Sequence, residues 1–104
     1  MRRIIEGKIY DTDKAEKIGG WSQGYPSDFR YVHERLYVTK KGCFFVWGEG
    51  GAMSGWAETC EDGRSYHGGE GIRPLTREEA FEWAQAHLEP EEFEGYFLDL
   101  IEEA

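Results

Sequence analysis

The period of hydrophobic and polar positions changes along the chain, and the changes divide it into elements. Residues 3–10 (RIIEGKIY) place Ile4, Ile5, Ile9 and Tyr10 among polar neighbours, and β-branched side chains there predict a strand. Asp11-Thr12-Asp13 offers acceptors for a helix start. Ala15 and Ile18 lie three apart and Gly19-Gly20 stops the run, which predicts one or two helical turns. Residues 21–28 (WSQGYPSD) read as a loop, pinned by Trp21 and Tyr25. From 29 to 39 the period is two: Phe29, Tyr31, His33 and Arg35 share one face, and Arg30, Val32 and Glu34 share the other. Leu36-Tyr37-Val38 then turns apolar on both faces. Lys40-Lys41-Gly42 predicts a three-residue hairpin turn with Gly42 at positive φ. Residues 43–47 (CFFVW) return as a strand apolar on both faces, hence a central one.

Past Trp47 the pattern loosens. Gly48-Glu49-Gly50-Gly51 opens a glycine-rich stretch, and 52–59 reads as extended or irregular with Met53 and Trp56 inward. Turns are expected at 61–64 and 66–71. Residues 72–75 read as an edge segment because of Pro74. At Thr76 the period becomes helical. Thr76-Arg77-Glu78-Glu79 is a capping box flanked by a Leu75–Ala80 staple pair, and Ala80, Phe81, Trp83, Ala84 and Leu88 carry the helix to about His87. Pro90 suits the first position of a second helix, with Phe93, Phe97, Leu100 and Ile101 as its apolar stripe. The pattern predicts a single α+β domain over 1–104. Its antiparallel sheet of four or five strands is centred on the 36–47 hairpin and covered by two C-terminal helices.

Composition narrows the classes. Six Phe, six Tyr and four Trp can build a core in 104 residues. No apolar run approaches the ~18 residues of a membrane span, and the basic start lacks an apolar signal region. Two cysteines make no disulfide framework, which points to free thiols and a cytoplasmic protein. The net charge of −9 is placed unevenly. Residues 1–50 hold nine Lys/Arg and seven Asp/Glu (+2), whereas 51–104 hold three and fourteen (−11). Direct DNA binding through the second half is not expected, because phosphates require Lys and Arg.

No catalytic or cofactor signature is present. The glycine run lacks the lysine of a phosphate loop, and Glu49 would repel phosphate. Asp11-x-Asp13 fails as a calcium loop, since Ala15 stands where a third ligand belongs. Cys43, Cys60, His33, His67 and His87 form no close metal-binding pair. An enzyme would need Cys60, His67 and a carboxylate to converge. The remaining feature is the acidic end: Glu78, Glu79, Glu82, Glu89, Glu91, Glu92 and Glu94 recur at helical spacing, with neighbours ~5–6 Å apart. Such an array resembles the phosphate spacing of a nucleic acid coarsely, and suits a basic nucleic-acid-binding partner. A plain solubilising role is the competing reading. A different reading makes the aromatic glycine-rich loop, with Trp47, Glu49, Met53 and Trp56, the contact surface of a regulatory or homodimeric interaction module.

Several blocks carry a resemblance: Gly7-Lys8-Ile9-Tyr10-Asp11-Thr12 with Ile18-Gly19; Leu36-Tyr37 with Thr39-Lys40-Lys41-Gly42; Gly48-Glu49-Gly50-Gly51; and Pro74-Leu75-Thr76, Glu79-Ala80, Trp83-Ala84, His87-Leu88. Together they resemble a family of small acidic proteins of phages and mobile elements in Gram-positive bacteria, some of whose relatives are associated with anti-CRISPR inhibition of type II systems. The resemblance implies a non-enzymatic inhibitor acting on a type II CRISPR effector nuclease or its guide complex. It carries over no site residues. Trp47 and Met53-Ser54-Gly55-Trp56 depart from the family's pattern, which leaves the partner of this member open.

Overall fold

A computed structural model describes all 104 residues, Met1–Ala104. Residues 3–10 form a hairpin rather than one strand: β1 (Arg2–Ile5) pairs with β2 (Lys8–Asp11), Ile4 opposite Ile9. Glu6 and Gly7 make its turn at φ of 51° and 79°, the left-handed pair that a two-residue hairpin requires. The turn is cryptic in the sequence because Glu, rather than Asn or Asp, precedes the glycine.

The Asp11 carbonyl accepts the N–H of Lys14 and of Ala15, so a single turn forms. The helical turns expected up to Ile18 end there. Ile18, Gly19, Gly20 and Trp21 all belong to β3 (Glu16–Gln23), so the loop expected from Trp21 begins only after Gln23. Cross-strand pairing along β3, interrupted by an irregularity at Ile18, outweighs weak local preferences. Gly19 is needed for close packing: a Cβ there would lie 2.8 Å from the Leu88 side chain.

Beyond β3 come β4 (Val32–Val38), β5 (Phe44–Gly50), the two-residue strands β6 (Glu58–Thr59) and β7 (Tyr66–His67), and β8 (Gly69–Leu75). β3-β4-β5-β8 is the order of the main antiparallel sheet; β6 and β7 pair separately. The β4–β5 turn is the expected one, with Gly42 at φ 87° and Thr39 N–H donating to the Cys43 carbonyl at 2.8 Å. β5 is central and β8 lies at the edge.

Alternation divides the side chains between two layers. Ile18, Leu36, Phe44 and Val46 face α1 (Arg77–His87), where Ala80 and Ala84 let the helix approach closely. On the other face Tyr37, Phe45 and Ile72 are covered by Tyr10 of the N-terminal hairpin. Thr76 and Glu79 close the capping box at 3.1 and 2.8 Å. α2 (Pro90–Phe93) is one turn only, and two 3₁₀ turns follow, at Glu94–Tyr96 and Leu98–Leu100. Phe93 and Phe97 are buried as the stripe requires, but Leu100 is half-buried and Ile101 is exposed. The expected second helix stops at Phe93, where φ reaches −127°, and Gly95 just beyond offers little propensity to resume it, since glycine inside a helix costs ~1 kcal/mol relative to alanine. The tighter turns bring Phe97 onto Phe44, with centroids 5.2 Å apart.

Candidate functional site

Three features compete for a functional role: the acidic C-terminal surface, a tryptophan-bound glutamate, and the glycine-rich end of the sheet. Glu78, Glu79, Glu82, Glu89, Glu91, Glu92 and Glu94 are all exposed, and none lies in an ion pair. The one basic residue after Thr76 is consumed internally. Arg77 binds both Asp99 carboxylate oxygens and the Tyr96 carbonyl, tying the tail to the start of α1. The guanidinium holds the Asp99 carboxyl below the usual range. Glu79 differs from the other six, because its carboxylate already accepts the Thr76 N–H.

Seven of the twelve Lys and Arg residues line two hollows beside the N-terminal hairpin. Arg2, Arg3 and Arg35 line a hollow of about 460 Å³, and Lys8, Lys14, Lys40 and Lys41 line another of about 580 Å³. The charge asymmetry of the sequence is therefore an asymmetry in space.

Glu34 was not singled out by any motif, yet it organises the middle of the molecule. One row crosses the main sheet from Trp21 through Glu34 and Gly48 to Gly71. Its Oε1 accepts the indole N–H of Trp21 and of Trp83, each at 2.9 Å, and its Oε2 accepts that of Trp56 at 2.8 Å. The three donors arrive from β3, from α1 and from the segment after β5. Gly48 makes room for the third: a Cβ there would lie 2.1 Å from the Trp56 ring. The Arg73 guanidinium lies over that ring, 4.0 Å from its centroid. The signal that could have found it is a carboxylate in the same strand phase as Val32 and Leu36 in a chain with four tryptophans, since buried indoles need acceptors.

The four residues of the aromatic glycine-rich loop are not brought together. Trp56 is 7% exposed and committed to Glu34, whereas Met53, expected inward, is 62% exposed. Met53 lies after the sheet's last paired residues, and its N–H is held by the Phe29 carbonyl at 2.7 Å, which leaves the side chain outside. Trp47 lies in β5 on the opposite face, under Arg35 at 5.0 Å and donating to Glu70. Glu49 accepts the Tyr31 hydroxyl at 3.0 Å. Gly48 and Gly50 serve internal packing, against Trp56 and Ser54.

Cys60 pairs with Ser65 through its N–H, and the His67 imidazole meets Glu58 at 3.9 Å. The Cys60–His67–carboxylate arrangement is not formed. No group of three His, Cys, Asp or Glu residues is placed to hold a metal ion. No helix is long and apolar enough to cross a membrane.

No family model, curated protein or solved structure matches the chain. The functional reading therefore rests on geometry and charge.

Two histidines give this arrangement a pH dependence. His33 is depressed below the ordinary imidazole value by burial and then by Arg35, and its Nε2 has no partner. His87, stacked on Trp21 at 4.1 Å, is depressed by burial, partly offset by Glu34. A base with a lowered folded pKa binds fewer protons folded than unfolded, so stability falls as pH drops below ~6.5. The urea midpoint is expected to fall between about pH 7 and about pH 5.5, above the carboxylate range. His33→Gln/His87→Gln should flatten that slope; an unchanged slope would assign it to other groups.

Proposed function

We propose that the protein is a non-enzymatic inhibitor that uses its acidic C-terminal surface to occupy the nucleic-acid-binding groove of a basic partner. The observation that carries this reading is the set of seven exposed, ion-pair-free carboxylates on residues 78–94, with the neighbouring Arg77 withdrawn into an internal pair. Exposed carboxylates on α1 and on the turns that follow it supply negative potential without a cation to neutralise it, which favours fast, salt-sensitive association. The family resemblance makes a guide-loaded type II CRISPR effector nuclease the first partner to test.

Glu79 must be left intact, because losing a helix cap costs ~1 kcal/mol and would confound the result. In Glu78→Gln/Glu82→Gln/Glu91→Gln each carboxylate becomes an amide of the same shape. The association rate with the effector is expected to fall about tenfold, and the wild-type rate to fall similarly between about 50 and about 300 mM salt. Surface-immobilised effector reads both rates. Wild-type association that is insensitive to salt and to these three changes would defeat the reading, as would failure of the effector to bind.

A further inference from the structure

At the end of the sheet away from the Lys40-Lys41-Gly42 turn, three segments distant in sequence converge. They are the turn before β4, the segment after β5, and the corner between β7 and β8. They enclose an open groove of about 660 Å³ that no function described so far uses. Phe29 and Tyr66 line it and are 69% and 63% exposed; Asp28, Glu49 and Glu70 supply three carboxylates, and no Lys or Arg lines it. Tyr25 and Met53 flank the same end. Four of the eight large exposed hydrophobic side chains of the protein thus gather in one region. Scattered exposed apolar residues need no explanation, but a gathered set rimmed by polar groups marks a contact surface.

The groove is rigid at its floor. The Gly51 N–H donates to the Tyr31 carbonyl at 2.9 Å, and the Met53 N–H to that of Phe29. Backbones pack directly on one another, since a Cβ on Gly51 would lie 2.4 Å from the Asp28 carbonyl oxygen. Tyr31 fixes Glu49 through its hydroxyl. A ligand therefore meets a preformed hollow and little ordering cost.

We propose that this groove docks an arginine-bearing segment of a partner protein. A guanidinium is planar and weakly hydrated, so it can lie on the Phe29 or Tyr66 ring while its N–H groups reach a carboxylate. A lysine ammonium presents a strongly hydrated point charge and gains less from the rings. An anion or a nucleic acid would meet three carboxylates, and a purely apolar helix would bury their charges with one internal donor each and no cation. Buried aromatic anchors govern dissociation, whereas distributed surface charge governs encounter. The inference goes beyond the helix-surface reading and does not depend on residues 78–94.

The test uses the full chain and a short fluorescein-labelled peptide alternating glycine and arginine, with the lysine peptide as comparison. Anisotropy is expected to show tighter binding of the arginine peptide by about threefold or more. Amide shifts in the wild-type protein should map to residues 28–31, 49–52 and 66–70. Phe29→Ala/Tyr66→Ala, at two exposed positions, should weaken binding about tenfold. The Gln variant of Glu78, Glu82 and Glu91 should retain it within about threefold. Equal binding of both peptides, shifts confined to 77–94, an unaffected Phe29/Tyr66 variant, or no binding would each overturn the proposal. If the groove variant alone fails with the peptide while the effector still binds through the helices, the two surfaces are separate. If the effector does not bind but the peptide still maps to the groove, only the helix-surface reading falls.

Discussion

Replacing Glu34 with alanine is expected to destabilise the fold by on the order of 4 kcal/mol and to lower the melting temperature by roughly 15–20 °C. The carboxylate accepts three indole N–H groups, and hydrogen bonds to a charged acceptor contribute ~1.5–3 kcal/mol each. The full sum is not expected, because Trp21 and Trp83 are only half-buried and their N–H groups can turn to water. Trp56 is buried and cannot, so its donor is left unpaired. Glu34→Gln separates charge from shape. An amide oxygen in the Oε1 position still serves Trp21 and Trp83, but the amide N–H₂ then opposes the Trp56 donor, so a loss of about 2 kcal/mol is expected. Urea titration followed by tryptophan fluorescence measures both variants. A loss below about 1 kcal/mol for the alanine variant would show that the three indoles are held by packing alone.

This carboxylate also marks the limit of what the sequence made legible. The 36–47 hairpin, the central position of β5, the edge position imposed by Pro74 and the capped α1 follow from local rules, and each is present. Residues 16–23 are opaque to local rules, because two glycines look like a helix stop until Leu88 and Glu92 are seen packed against Gly19. The second helix is shorter than its apolar stripe predicts, because the periodicity continues past Phe93 while the α-helical backbone does not. Glu34 was assigned correctly to the Val32 face, but nothing local says that this face is the buried one or that three tryptophans 13, 22 and 49 residues away would supply its donors. The groove at the sheet end is illegible for the same reason: Phe29, Glu49 and Tyr66 share no motif, and only the meeting of the segments that flank the main sheet unites them. The acidic surface was readable because charge accumulates along consecutive residues.

Gly48→Ala should be nearly as damaging as losing Glu34, at about 3 kcal/mol, although the change adds one methyl group. The backbone at Gly48 is ordinary strand, so alanine would be tolerated and even slightly favoured if space allowed. Space decides the sign. The new Cβ would fall 2.1–2.4 Å from Cε2, Cζ2 and Nε1 of Trp56, the same edge of the indole that donates to Glu34. Displacement of the ring is opposed on two counts: the Arg73 guanidinium lies over it, and the indole N–H is tied to the Glu34 carboxylate. Gly48→Ala therefore forces the indole off its acceptor, adding an unpaired buried donor to the steric cost. A double-mutant cycle isolates the cause. In a Trp56→Leu background the clash and the donor are both absent, so Gly48→Ala should cost less than about 1 kcal/mol there, leaving a coupling of about 2 kcal/mol. Equal costs in both backgrounds would place the damage in the β5 backbone instead, and would remove Gly48 from the set of residues that let one glutamate bind three tryptophans.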